Sequence, residues 1–578
     1  MKTRQVQSPK FKVQSPKSRT RVGHWTLNFG RSFFCLFTFA LCLSACLSSV
    51  FAQRTTAGRP TSVAPRAAEA GVGELSAAAR AALDAALAAL QQNNLAEAET
   101  TARAAIAAAP RSAVTHNILG VVLDRMGRAD ESFLEFNTAI GLDPNYVSAR
   151  NNFGRMLAGR GKTAEAIAEF ERVLKIDPSH VQAHYNLGAL YGGTGEFAKA
   201  AEHFARARAA APDDPQLALA FLSVAYRANR TTEAEATADL VERSVGSDAR
   251  SLFTLATVLA QSKQYERAAR LFARVNELMP HTYEVLYNLG IALYNLDRND
   301  EAAQHLAEAA DLNPAPAETH FRLALIASAR SDQANAIEEF KHATERQPKN
   351  ANYHYLLGRE YFRAAFWEGA INEYSSAIEI EPKNTAYILA RADANYRKGE
   401  WVASASDFDL AATLDPNNEN IEYWQGYAHR AAGDFDVARQ HLEKFLARHP
   451  DHVDALASLG YIAIEQGRLD DAEASIKRAL GLNPKNVPVL YDYARVALKR
   501  RDYAEAVARL QRVIEEHPAN TQAFYQLFLA YTRLKQKDKA DVALAEFKRL
   551  EVLEKQVTRE RITDEKQRTQ QILGSSPQ

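Results

Sequence analysis

Cysteine is nearly absent: the 578 residues hold three, Cys35, Cys42 and Cys46, all within the first 50 positions. The rest of the chain can form neither a disulfide nor a thiolate metal site. Charge of one sign is not in excess, since 70 Lys and Arg stand against 70 Asp and Glu. Eight of those bases and none of the acids fall in residues 1–52, which leaves the remainder mildly acidic. Nothing in that balance draws the chain to nucleic acid or to an anionic membrane surface. A complete phosphate-binding loop is missing as well. Gly161-Lys162-Thr163 has Met156 where the leading glycine belongs, and no strand leads into it.

What the chain has is a pattern that returns every 34 residues, seen most clearly from Val181 to Asp214. Leu187 and Tyr191 lie four apart on one helical face; Ala200, Phe204 and Ala207 make a second such face after the turn Gly192-Gly193-Thr194-Gly195. The spacing predicts two helices joined by a glycine turn. Gly188 and Ala200 have almost no side chain, so the backbones are expected to approach closely there, with Phe204 filling wider space one turn on. Pro212 then stops the second helix.

Three rows of residues share this register. Prolines stand at 110, 144, 178, 212, 280, 314, 348, 382, 416, 450, 484 and 518, and Gly246 fills the single gap. The first-helix position reads Gly120, Gly154, Gly188, Gly290, Gly358, Gly426 and Gly460, or Ala, with only Leu222 and Phe528 breaking it. The second-helix position is Ala throughout except for Ser132 and Ser404. Fourteen consecutive units result, over residues 79–554.

The spacing Leu187, Gly188, Tyr191, Ala200, Phe204, Ala207, Pro212 resembles the tetratricopeptide repeat, whose period is also 34. The usual tryptophan of that family is His184 here. The resemblance covers most of the chain and implies an all-α, right-handed superhelical solenoid of about 14 helix-turn-helix repeats. The first unit, nearly all Ala and Leu, is expected to cap the array. The fifth, Pro215 to Asp248, is the most degenerate, with Leu222, Ala238 and Gly246 at positions held elsewhere by Gly, Phe and Pro; a change of curvature or a flexible point is expected there. In the fourteenth, Val552 replaces proline, so the last helix runs on. Residues 555–578 are expected to extend that capping helix, with Leu544, Phe547, Leu550 and Leu553 covering the open end and a disordered GSSPQ tail.

Ahead of the array, residues 1–52 read as an export signal or anchor: a basic stretch, then the uncharged run between Arg31 and Arg54. Three outcomes stay open. Leu43-Ser44-Ala45-Cys46 looks like a lipobox, with Cys46 as the lipidated residue. Val50-Phe51-Ala52 fits an ordinary signal-peptidase site, and an uncut run is long enough to span a bilayer. Each places the array outside the cytoplasm, as a periplasmic protein that reaches a membrane only through its N-terminus. Residues 53–78 read as a flexible tether.

No catalytic motif survives the register. His449-Pro450-Asp451 matches a J-domain tripeptide, but Pro450 belongs to the proline row. His180 and His184 have helical metal spacing without a third ligand nearby. His116, His184, His320 and His354 share one packing position and read as satisfied structural histidines. Outside the repeats, residues 1–78 are signal and tether and 555–578 are too few for a catalytic domain of the usual minimum of about 50 residues. The expectation is a protein that is not an enzyme and that holds no cofactor or metal.

In the family, the first helices line a concave groove. The resemblance therefore implies a binding surface at Asn152, Arg155, Tyr185, Asn186, Arg227, Asn288, Tyr294, Arg359, Arg363, Arg397, Tyr427, Arg430, Tyr461 and Arg495. Tyrosine and arginine carry binding energy through stacking and forked hydrogen bonds. Asn152, Asn186 and Asn288 share one position and look like the ladder with which related arrays grip a peptide backbone. The family's lysine clamp for a C-terminal carboxylate is missing from all fourteen units, which argues against chaperone-type recognition. The function these readings imply is a scaffold for an extended peptide or partner protein in envelope complex assembly. The alternative is a polysaccharide-export or secretion-system component whose tyrosines stack on sugars.

Overall fold

The computed structural model describes residues 75–573. The segment read as an export signal, Cys46, most of the stretch read as a tether and the final residues lie outside the described residues. Among those described there are 28 helices and no strand, α1 (Ala77–Gln91) to α28 (Lys537–Leu573), two per repeat. The chain divides into two compact units, Met1–Ala211 and Pro212–Gln578. The first contains repeats 1 to 4 and the second repeats 5 to 14. The division falls at the start of the degenerate fifth repeat.

Each repeat turns between its helices at the fifteenth position, where φ is positive in all fourteen. Glycine holds that position at Gly127, Gly161, Gly195, Gly399, Gly433 and Gly467, but Ala365 (φ 60) and Arg501 (φ 62) adopt the same conformation. An L-residue there costs roughly 1–2 kcal/mol. Ala365→Gly is accordingly expected to raise stability by about 0.5 kcal/mol after the added unfolded-chain entropy is subtracted, read as a higher urea midpoint. A lower midpoint would show that the turn is not strained.

The small residue of the first helix serves a different neighbour from the one expected. In α7 (Val181–Gly193), a Cβ on Gly188 would lie 2.8 Å from the Phe204 ring of α8 (Phe197–Ala210). Gly120 and Gly154 stand in the same relation to Phe136 and Phe170. Phe204 thus occupies the space over Gly188 itself rather than a gap one turn away. Backbone approach does occur at Gly358 and Gly426, where the carbonyls of Ala370 and Ala438 lie 3.2 Å from the same point. The two serine exceptions are satisfied, since Ser132 and Ser404 Oγ donate to the carbonyls of Gly120 and Ala392 at 2.8 Å.

Repeat 5 keeps the helix-turn-helix form in α9 (Pro215–Ala225) and α10 (Thr231–Val245). Its exchange is volume-conserving: Leu222 replaces a glycine and Ala238 an aromatic, and both are fully buried. At the other end, α28 continues for 37 residues in one helix and returns to touch α16 (Gln333–Arg346). Leu550 is buried and Phe547 packs on Tyr525 at 5.1 Å. Leu553 does not join the cap, being 49% exposed. No helix among the described residues is long and apolar enough to cross a membrane.

Candidate protein-binding face

Within each unit the first helices of most neighbouring repeats touch one another, as α5 (Val147–Gly159) does α7, and among the described residues no comparably close pairing joins the second helices of neighbouring repeats. Layers that approach more closely on one side curve toward it, so first helices line the inner face of each unit.

In the first unit the expected asparagine ladder is present but largely spent on itself. Asn152 Nδ2 donates to Asn117 Oδ1 at 3.0 Å, and Asn186 Nδ2 donates to Asn151 Oδ1 at 3.3 Å. Their carbonyls accept from Arg155 and Gln182. Each amide keeps one N–H for a ligand. Asn288, in the other unit, lies outside the ladder and donates to the Glu284 carbonyl of its own helix at 2.7 Å. Tyr185 packs edge-on against Phe204 at 5.6 Å, so its ring is partly core. Arg155 is exposed yet crowded by the inner face, which lowers its pKa; Asp124, facing it, is pushed up by burial despite three nearby arginines.

In the second unit the sequence-predicted residues separate into two groups. Four converge. Arg430 lies over the Tyr427 ring at 4.8 Å and the Tyr461 ring at 5.2 Å, and Arg495 covers Tyr461 from its own side at 5.3 Å. Tyr396 and Tyr423 extend the stack to Tyr427 at 5.2 and 6.0 Å. The helices that carry it are α19 (Thr385–Lys398), α21 (Glu419–Ala432), α23 (Val453–Glu465) and α25 (Val487–Lys499), so one aromatic and guanidinium ladder crosses four repeats. Arg495 is held by Asp492 at 2.8 Å and by Glu465. Arg430 Nε is buried without a hydrogen-bond partner. Burial raises the Asp492 carboxyl and the Tyr396 and Tyr423 hydroxyls.

The other group does not converge. Arg363 reaches Ser328 Oγ at 3.1 Å and the carboxylate of Glu360, which is 1% exposed, so it and the nearby Arg359 balance a buried charge. Arg397 pairs with Asp393 on its own helix at 3.2 Å. Arg227 is exposed in repeat 5, and Tyr294 is half-buried. The sequence reading missed Glu318 and Arg322, which pair at 2.6 Å while Tyr353 donates its hydroxyl to Glu318 at 3.1 Å. It also missed Glu465 and Asp492. Acidic residues between the arginines were the available signal.

The histidine row is structural, as its spacing implies. Nδ1 of His116, His320 and His354 faces Glu135, Glu339 and Glu373 at 2.6, 2.7 and 2.7 Å, and each Nε2 faces the carbonyl of the preceding proline-row residue. His354 is raised by its hydrogen bond to Glu373, so its contribution is full below about pH 6.5 and is lost as pH rises through its folded value. Repeat 4 inverts this. His184 meets His203 at 3.0 Å, and burial with the His184 charge pushes His203 down to about 4. Neutral His203 stabilises fully above about pH 6.5 and loses its effect as pH falls toward 4. His203→Phe is expected to flatten the acid side of the melting profile between those values, and an unchanged slope would contradict the assignment. His180 and His184 share no site, since His180 Nδ1 accepts from the Ala183 amide at 3.1 Å.

Comparison with known proteins agrees with the register. Residues 83–147, 151–215, 355–419 and 423–487 match one tetratricopeptide repeat model, and 259–320, 317–350 and 489–520 match three others. No curated protein matches the chain. Similar solved structures include the APC/C hetero-tetramer Cut9-Hcn1, 15% identical over 82% of this chain and 94% of that one with a TM-score of 0.35. Naa15/Naa10 bound to HypK-THB is 15% identical over 84% and 96%, with a TM-score of 0.32. Pseudomonas aeruginosa pilF is 24% identical over 36% and 95%, with a TM-score of 0.31. With matches distributed over about two thirds of its length and two helices in every 34-residue unit, the chain belongs to the tetratricopeptide repeat family.

Proposed function

We propose that the array is a non-catalytic scaffold outside the cytoplasm that holds an extended peptide or partner protein along its first-helix face, in the assembly of an envelope complex. The observation that carries this reading is the ladder of Tyr396, Tyr427, Arg430, Tyr461 and Arg495. Half-buried tyrosines give rigid contact area, and Arg430, with an unpaired buried Nε, offers its remaining donors to a peptide carbonyl or carboxylate.

The same geometry favours peptide over glycan. Stacking on a sugar needs an open aromatic face, and guanidinium groups already cover Tyr461 at 5.2 and 5.3 Å. Selection of displayed peptides on the full chain should enrich acidic or aromatic sequences, with no retardation in polysaccharide-containing gels. Retardation without peptide enrichment would reverse the choice. The extracytoplasmic setting rests on residues 31–54, and tethering rests on Cys46. Mass spectrometry of the mature N-terminus should show a lipidated Cys46; an unmodified start at Gln53 would remove the lipid anchor and leave a soluble exported scaffold.

A further inference from the structure

Repeat 11 breaks the histidine pattern in a way that builds a cation site. In repeats 2, 3, 8 and 9 the fourth position of the repeat supplies the base and the twenty-third the acid, as in His354 with Glu373. In repeat 11 the polarity is reversed: Glu422 holds the fourth position and His441, on α22 (Phe435–Arg448), holds the twenty-third, with Nδ1 of His441 3.1 Å from Glu422. The eleventh position, tyrosine in repeats 4 and 9 (Tyr191, Tyr361), is His429. In repeat 4 the Tyr191 ring stacks on His203 at 5.7 Å and 13°; here the His429 ring takes that place over His441, at 5.9 Å and 11°. The exchange turns an aromatic contact into two imidazoles facing one space. Asp409, on α20 (Trp401–Leu414) of the preceding repeat, closes it from the other side.

We propose that Asp409, His429 and His441 bind a divalent transition-metal cation of the zinc type, which pins repeat 10 to repeat 11. One ligand atom of each residue lies within 4.8 Å of the others, and Asp409 Oδ2 is already 3.2 Å from His429 Nε2. Tetrahedral zinc with bonds of about 2.0–2.1 Å sets its ligands about 3.3 Å apart. The three ligand atoms close from within 4.8 Å to that distance when the metal binds.

The surrounding groups present the ligands in the right form. Nδ1 of His429 faces Asp434 at 3.3 Å and its Nε2 faces Asp409, so that ring gives one N–H to a carboxylate and turns its other nitrogen to the site, while Glu422 orients the His441 ring through Nδ1. Gln425 Nε2 fixes Asp409 at 2.8 Å, and Lys444 and Arg448 hold Glu422 at 2.7 and 3.2 Å. His429 is 9% exposed, whereas Asp409 is only half-buried, which leaves a solvent path for entry. Two nitrogens and one carboxylate oxygen suit zinc better than magnesium or calcium.

The test is titration of the full-length chain, purified without a histidine tag and stripped with chelator, using Co²⁺ as spectroscopic probe and Zn²⁺ as competitor. The expected result is one equivalent of Co²⁺ with four-coordinate visible bands, displaced by Zn²⁺. Glu422→Gln, which removes only the group orienting His441, should weaken Zn²⁺ by roughly 10–100-fold, and Asp409→Asn and His441→Ala by more. His281→Ala, at a histidine whose side chain is 75% exposed, should change nothing. Zn²⁺ should slow amide exchange in α20 to α22 of the wild type and leave His441→Ala unaffected. Binding with no fixed stoichiometry, or equal affinity in wild type, Glu422→Gln and His441→Ala, would overturn the proposal.

Discussion

Phe272→Ala is expected to remove about 3–5 kcal/mol from the stability of the repeats around it, the cost of emptying a fully buried aromatic position. Phe272 is 0% exposed on α12 (Tyr265–Leu278) and takes the ring of Phe253 edge-on at 5.5 Å. In an array where each repeat contacts mainly its neighbours, the effect should be local. Amide exchange should accelerate over residues 249–312 and stay near wild type over 453–520. Equal acceleration in both stretches would mean that the second unit unfolds as one cooperative body, and that repeat-by-repeat energetics do not describe it.

Arg430→Ala is expected to weaken any peptide selected on the wild-type array by about 2–4 kcal/mol, or roughly 30-fold or more. The side chain lies between two tyrosine rings, at 4.8 and 5.2 Å, so truncation removes both a cation and the spacer that keeps those rings apart. Arg397→Ala serves as the comparison. Its guanidinium lies on an exposed helix face and pairs with Asp393 of the same helix, and its loss should change affinity by less than about 1 kcal/mol. Similar losses in both variants would show that net positive charge, rather than the ladder, drives binding. Isothermal titration at two salt concentrations separates these cases, since exposed charge is screened and a stacked, half-buried guanidinium is screened much less.

The fold was legible because its determinants recur. Proline 212 and its eleven counterparts, and Gly188 opposite Phe204, each state one packing requirement many times over, and repetition makes a weak local signal strong. What the register did not reveal was how positions pair between repeats. Asn152 and Asn186 share one position, yet each donates to an asparagine at a different position of the preceding repeat. Arg363 has the residue type of a binding arginine, but the buried Glu360 beside it claims the charge. Leu553 fits the apolar spacing of a cap and still faces water. Lateral contacts depend on which neighbours carry acids, and a column-by-column reading does not register them. The Tyr427, Arg430, Tyr461 and Arg495 cluster was found because its members sit on the inner face of consecutive first helices, where the repeat itself brings them together.

The most direct measurement is an amide-exchange footprint of the full chain with and without a saturating, display-selected peptide. Binding along the first-helix face predicts new protection in α19, α21, α23 and α25, with the second helices between them little changed. Protection confined to the second helices, or to repeats 1 to 4, would contradict the assignment of the binding face.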